Sequence, residues 1–293
     1  MNLKLALTMV LTSTSLGIAA ADPQHTLPAS GIQAPAPAAT RPGWTLVWSD
    51  EFDVDGLPDA TKWDYDTDRN KDGWYNQELQ YYARDRLENA SVKGGFLTLT
   101  ARRERLIQAP DYGGQFFTSA RMVTRNKPDA SWTYGFVEVR AKLPCSLGTW
   151  PAIWMLGTGG RWPDDGEIDI LEQKGTSQAD KSIVQAALHT GAYNHAGGTL
   201  GKGLEATRHA SDACTQFHNY QLTWSADKIV IGVDNKDYLT YTRPSSATYA
   251  QWPFDKPQYL LLNVAMGGVL GGTVPDSFVS DSMVVDYVRV YRK

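Results

Sequence analysis

Along most of this chain, apolar residues recur at every second position rather than every third or fourth. Phe96–Ala101 (FLTLTA) alternates throughout. In Phe136–Leu143 (FVEVRAKL), Val137, Val139, Ala141 and Leu143 fall on one side, and Phe136, Glu138, Arg140 and Lys142 on the other. A period of two marks a strand with one buried face. Further strands are predicted at Trp44–Trp48, Ala152–Leu156, Ile168–Leu171, Ile183–Thr190, Tyr220–Trp224, Ile229–Asp234, Tyr259–Ala265 and Val284–Tyr291. Most are rich in β-branched and aromatic residues, with Gly, Pro, Asp or Asn between them. No long segment carries a 3.6-residue period. No short internal repeat appears, which argues against a propeller or solenoid. Many strands without regular helices predict an all-β fold, two sheets packed face to face as a jelly-roll β-sandwich. One face of a sheet is then dry core, and a concave outer face can line a cleft for an extended ligand.

The N-terminus breaks this pattern. Lys4 precedes the modest apolar run LALTMVLTSTSLGIAA, with small residues at Ala19 and Ala21. That layout predicts a secretory signal peptide over residues 1–21, and hence an exported protein. The run is too short and too rich in Ser and Thr for a membrane anchor. Residues 22–42 hold five prolines and almost no large apolar side chains, so a semi-extended linker is expected there. All ten tryptophans lie between Trp44 and Trp252, and residues 43–293 read as one domain.

The net charge of −4 comes without a basic stripe, so neither nucleic acid nor a membrane is expected as a partner, and the chain is read as a monomer. Its two cysteines, Cys145 and Cys214, allow either one disulfide or two buried thiols. The five histidines show no zinc-ligand spacing, and no glycine-rich loop precedes a helix as a phosphate cradle would.

The chemistry concentrates in Gly166-Glu-Ile-Asp-Ile-Leu-Glu172. Glu167 and Asp169 are two apart and share a strand face. Glu172 is five from Glu167, so a regular strand would turn it into the core, where an unpaired carboxylate is very costly. A β-bulge between Asp169 and Glu172 resolves the conflict, returning Glu172 to the face of Glu167 and leaving Ile168 and Ile170 in the core. Three carboxyls so placed suit glycoside hydrolysis. Leaning side chains can bring the two glutamates toward the ~5–5.5 Å separation of a retaining enzyme. Like charges crowded together also separate their pKa values, giving one ionised nucleophile and one protonated acid. A calcium loop would space its oxygens more closely among Gly and Asn, and a solvated edge would not alternate acids with Ile so cleanly. Just upstream, Trp150 and Trp154 share a strand face, where indoles can stack on sugar rings and bond hydroxyls. Trp162 is placed to wall the same cleft. Trp44, Trp48, Trp63 and Trp224 are expected in the core.

At these residues the chain resembles the bacterial laminarinases, endo-β-1,3-glucanases of glycoside hydrolase family 16. The resemblance covers nearly all of residues 43–293. It rests on WSDEFD (48–53), ELQYY (78–82), SARMVT (119–124), GFVEVRAKLP (135–144), GTWPAIWML (148–156), GEIDILE (166–172), YNH (193–195), WPFDKP (252–257) and VDYVRVY (285–291). It implies a β-glucan substrate, Glu167 as nucleophile, Glu172 as general acid/base, and Asp169 hydrogen-bonded to the nucleophile. It implies sugar contacts from Asn76, Arg121, Trp150, Trp154, Trp162, His189 and His195. No cofactor is expected for catalysis, and a structural calcium far from the cleft would fall on Glu51, Gly95 and Asp286. His189 shares a strand face with Gln185 and Ala187, and a core histidine is its plain alternative. Two departures stand out. Gln173 follows Glu172 where many relatives have His, which would change the polarity beside the acid/base. Val269-Leu270 replaces a frequent Trp in the loop 267–272. The rival readings are a mixed-linkage β-1,3-1,4-glucanase and a glucan-binding protein without turnover, although such binders usually lack the glutamates.

Overall fold

The computed structural model describes residues 40–201 and 203–293. The expected signal peptide and nearly all of the expected linker lie outside the described residues.

The described strands run in the order β1 (Thr45–Asp50), β2 (Asp64–Tyr65), β3 (Gln80–Tyr82), β4 (Ala90–Lys93), β5 (Phe96–Arg103), β6 (Phe117–Ser119), β7 (Arg121–Val123), β8 (Ser131–Trp132), β9 (Gly135–Lys142), β10 (Thr149–Gly157), β11 (Glu167–Gln173), β12 (Ile183–His189), β13 (Glu205–His209), β14 (His218–Trp224), β15 (Lys228–Val233), β16 (Lys236–Thr242), β17 (Gln258–Met266) and β18 (Ser280–Arg292). A four-residue helix, α1 (Gly268–Gly271), and two short 3-10 turns, Tyr75–Gln77 and Asp180–Ser182, interrupt them. None of the described helices is long and apolar enough to cross a membrane.

The strands form two sheets. The larger runs β16-β15-β14-β9-β18-β5-β6-β3, with β1 added on β18 and β4 on β5. The smaller runs β13-β12-β11-β10-β17-β7-β2, with β8 on β17. Their inner faces meet in one apolar core. Val137, Val139 and Ala141 of β9, Tyr220 and Leu222 of β14, and Val285, Val288 and Val290 of β18 face Ile153 and Met155 of β10, Ile168 and Ile170 of β11, and Leu260, Leu262 and Val264 of β17. The alternation read from the sequence is the cause of this layering, since every second side chain of each strand leaves water.

Each predicted strand is present. The sequence pattern passed over β2, β3, β4, β6, β7, β8, β13 and β16. Most are too short to show a period. β13 and β16 are the outermost strands of their sheets and bury few side chains, so their residues are mostly polar.

Two core assignments need correction. Trp44 is not in the core. It lies half-exposed on the outer side of the large sheet, 5.9 Å from the Phe136 ring, with Arg41 5.8 Å from its own ring. Phe136, expected on the polar face of β9, is only 3% exposed, because Arg41, Trp44 and Tyr291 cover it. Trp63 and Trp224 are buried as expected. Trp48 packs edge-on between Trp63 and Trp132 against the core. Cys145 and Cys214 are both free thiols, Cys145 at the surface, so the disulfide alternative is not what the structure shows.

Ile168 has no exposed surface and sits between the two acids that precede the bulge. Ile168→Ala is expected to lower unfolding free energy by about 2–5 kcal/mol through lost burial and a residual cavity. Urea denaturation would check this, and a loss near zero would contradict the assigned core face.

Candidate active site

β11 supplies the site. Gly166 leads into it with φ +85°, and a Cβ there would come within 2.9 Å of Pro253 and 3.0 Å of Phe254. Only glycine lets the chain turn so close to those rings before Glu167 begins the strand. Against β10, Leu156 pairs with Glu167, Met155 with Ile168, Trp154 with Asp169, Ile153 with Leu171 and Ala152 with Glu172. Against β12, Glu167 pairs with His189, Asp169 with Ala187 and Glu172 with Gln185. Both registers slip between Asp169 and Glu172, which is the bulge the buried-charge argument demanded. Ile168, Ile170 and Leu171 have no exposed surface, and the three acids share the opposite face.

Each glutamate meets a different environment. Glu172 Oε1 accepts from Trp150 Nε1 at 2.9 Å, and its Oε2 accepts from Gln185 Nε2 at 3.0 Å. Glu167 accepts a hydrogen bond from Trp162 Nε1 and shares another with the Asp169 carboxyl. Asp169 is 3% exposed, and its Oδ2 lies 3.3 Å from His189 Nε2. Burial, and next the charge of Glu172, push the Asp169 carboxyl well above the usual carboxylate range. Burial and the neighbouring Asp169 push Glu167 up as well, while His189 and the Trp162 N–H pull it back. Two buried carboxyls in contact cannot both ionise readily, so the pair holds one shared proton. Their mutual hydrogen bond raises Glu167 and lowers Asp169, so the proton is drawn toward Glu167 by that bond and toward Asp169 by the charge of Glu172.

Most of the expected sugar contacts converge on this face. Trp154 Nε1 donates to Asn263 Oδ1 at 2.8 Å, and the Arg121 guanidinium lies 4.6 Å from the Trp154 ring. Arg121 is itself held by Asp66 at 3.1 Å. Trp150 is largely buried, Trp154 partly so, and Trp162 is 49% exposed, as a wall residue would be. His189 is buried beside the acids. His195 is exposed, packs edge-on to it at 4.7 Å and lies 3.8 Å from Glu205. Asn76 is exposed at φ 59° in the turn Tyr75–Gln77, close to Glu78.

The structure adds residues that the sequence reading missed. Gln185, noticed only as a neighbour of His189, bonds the acid/base candidate directly. Asn263 anchors Trp154, and Trp74 packs under Arg121 at 5.0 Å. Glu78 lies close enough to Arg121 and Glu172 to feel both charges, and burial raises its carboxyl above the usual range. For Gln185 and Asn263, only the strand register could have flagged the role. Gln173 is a correction. It does not border the acid/base in the cleft. It is fully buried on the other side of β11, donates to the Lys181 carbonyl at 2.8 Å and accepts from Lys181 Nζ at 3.2 Å. Lys181 is pulled down to about 8 by its burial. Val269 is 56% exposed on α1, an aliphatic edge without a ring.

Glu51, Gly95 and Asp286 belong to the other sheet. β18 carries Asp286, β1 ends beside it with Asp50 opposite Val288, and β5 runs alongside with Leu97 opposite Val285. Their donors are all oxygen, the set a hard cation takes. Both carboxylates are already engaged, Glu51 by Arg289 at 2.7 and 3.0 Å and Asp286 by Arg140.

A jelly-roll sandwich carrying two glutamates and an aspartate on one bulged strand, inside a tryptophan-lined cleft, defines a polysaccharide-cleaving glycoside hydrolase. The chain belongs to the glycosyl hydrolases family 16, whose model matches residues 77–289. It is 48% identical to the beta-glucanase of Rhodothermus marinus over 264 residues, 86% of each chain. Among solved structures it is similar to SCLam, a non-specific endo-beta-1,3(4)-glucanase, at 47% identity and TM-score 0.82, covering 90% of this chain and 97% of that one. It is also similar to LamA of Z. galactanivorans in complex with laminaritriose and laminaritetraose, at 37% identity and TM-score 0.72, covering 85% and 99%.

The upward shift of the Asp169 carboxyl has a consequence for stability. Between the ordinary carboxylate value of about 3.9 and its raised folded value, the native state keeps a proton that the unfolded chain has lost. Stability therefore falls as pH rises through that window. Asp169→Asn removes the share of that fall that Asp169 contributes. The melting temperature of the variant should exceed that of the wild type by a margin that widens from pH 4 to pH 7. A margin independent of pH would overturn this account of the site.

Proposed function

We propose that this chain cleaves β-1,3-glucan at internal linkages with retention of anomeric configuration. The observation that carries it is the register of β11, which brings Glu167 and Glu172 to one face across the bulge, each met by an indole N–H. Glu167, with the shared proton passed to Asp169, attacks the anomeric carbon as an anion. Glu172 gives its proton to the departing glycosidic oxygen, and a glycosyl ester forms on Glu167. Glu172, now ionised, takes a proton from water, which attacks the same carbon and frees Glu167. Trp150 and Gln185 occupy one lone pair on each Glu172 oxygen and leave the others open for that proton. Trp154, Trp162, Arg121, Asn76, His189 and His195 bind and orient the sugar chain.

The substrate class is supported by the laminarinase and β-glucanase relatives. SCLam supports a second reading, in which mixed β-1,3-1,4-glucan is also cut, since that protein is described as non-specific and has been seen with 1,3-beta-D-cellobiosyl-glucose at its active site. The N-terminal pattern supports export of the chain. Laminarin, lichenan, carboxymethylcellulose, agarose and carrageenan, compared by reducing ends released, separate these substrates.

Glu167→Gln and Glu172→Gln should each reduce laminarin hydrolysis by several orders of magnitude with an unchanged circular dichroism spectrum. Full activity in either would sink the assignment. Proton NMR early in hydrolysis should show β-anomer first, with α-anomer arriving by mutarotation. Initial α product would exclude double displacement.

The oxygen donors of Glu51, Gly95 and Asp286 support one further proposal, a structural calcium ion that does no chemistry in the cleft. A chelator should lower the melting temperature of calcium-loaded protein, because a ligand bound only by the folded state stabilises it. An unchanged melting curve would remove the ion from the description.

A further inference from the structure

The acidic face also presents a set of donors that a metal ion could take. Among the described residues, Glu167, Asp169 and His189 form the cluster of potential metal donors, each offering one atom, with all three atoms within 4.8 Å of one another. His189 and Asp169 are 5% and 3% exposed. Asp169 Oδ2 and His189 Nδ1 are buried without a hydrogen-bond partner. The 3.3 Å between His189 Nε2 and Asp169 Oδ2 therefore joins two groups without a directed hydrogen bond.

That spacing has a chemical meaning. Zinc bonds of about 2.0–2.2 Å to nitrogen and oxygen in a tetrahedron put neighbouring donors about 3.3–3.5 Å apart. His189 and Asp169 already stand at that edge length, and Glu167 needs only a side-chain adjustment to complete a third vertex. One imidazole with two carboxylates suits a borderline dication, whereas magnesium and calcium prefer larger all-oxygen shells.

We propose that Glu167, Asp169 and His189 bind one borderline transition-metal dication of the zinc class, and that the ion blocks the cleft. The inhibitory half rests on the catalytic reading above; the binding half does not. Bound zinc occupies the nucleophile's oxygen and the space where the sugar ring must sit, so it competes with substrate. Removal of the ion restores the free carboxylate without covalent change.

The test is calorimetric titration of ZnCl2 into the full chain carrying Cys145→Ser and Cys214→Ser, which removes the thiols as competing ligands. One ion per chain is expected, with magnesium binding at least about tenfold more weakly. Adding His189→Gln should weaken zinc by at least about tenfold, since even outer-shell changes cost metal sites about 10–100-fold. Glu167→Gln provides a second variant should His189→Gln fail to fold. With laminarin as substrate, zinc should raise KM, leave kcat unchanged and be reversed by chelator. Unchanged zinc affinity in both variants would overturn the site, as would inhibition that lowers kcat alone. A chain that cleaved no glucan yet bound zinc through His189 would retain the site and lose the catalytic reading.

Discussion

Three carboxyl groups on one seven-residue strand face a single constraint: none of them can be turned into an apolar core without a partner. A regular strand would bury Glu172 on the side where Ile168 and Ile170 pack. The register slip between Asp169 and Glu172 prevents this, and the cleft follows from it. The bulge keeps the isoleucines in the dry layer while stacking the acids along the outer face. It also sets which neighbours each acid meets, because β10 and β12 present their own residues in matching register. Trp150 and Gln185 reach Glu172, while Asp169 and His189 flank Glu167. The two sheets are the support that makes such a slip tolerable. β11 lies within its sheet, paired on both sides, so its irregularity is bracketed by regular ladders.

The cleft wall depends on the same support. Arg121 lies close to both Trp74 and Trp154, and its charge is balanced by Asp66. Trp154 is pinned from below by Asn263, which in turn donates to the Tyr82 hydroxyl at 3.1 Å. Rings fixed in this way lose little freedom when a sugar stacks on them. Trp162 is different. It projects from the loop before β11, half-exposed, and that loop is tied down by Asp165, which bonds Arg161 at 3.0 Å and the Tyr249 hydroxyl at 2.7 Å. Its indole reaches Glu167 while its outer face remains open to substrate.

Much of this was legible in the sequence, and the reasons are local. Alternation exposed the strands with a buried face, and the spacing of Glu167, Asp169 and Glu172 forced the bulge. What was not legible lies across strands. Gln185 acts on Glu172 because β12 pairs with β11, and Asn263 acts on Trp154 because β17 pairs with β10. No feature of GNQ-type residues in isolation tells a cleft partner from a solvated one. Gln173 shows the opposite error. Adjacency to Glu172 suggested a role beside it, but neighbours on a strand point to opposite faces, and Gln173 joins Lys181 in a buried network instead. Trp44 was misread because a tryptophan is assumed to seek the core, whereas a cation and a ring on the outer sheet face cover part of it here.

The two glutamates are chemically identical, so their roles must come from what surrounds them. Glu167 touches another carboxyl, and Glu172 touches an amide and an indole N–H. A carboxyl neighbour can take up or release a proton, so Glu167 and Asp169 share one between them. An amide does not titrate, so Gln185 can only donate a hydrogen bond to Glu172. Asp169 senses the charge of Glu172 directly, since that charge is among the causes that raise it. A charge on Glu172 tightens the hold of Asp169 on a proton, and Asp169 in turn is hydrogen-bonded to Glu167. A single aspartate between the two glutamates thus couples the charge of one to the protonation of the other.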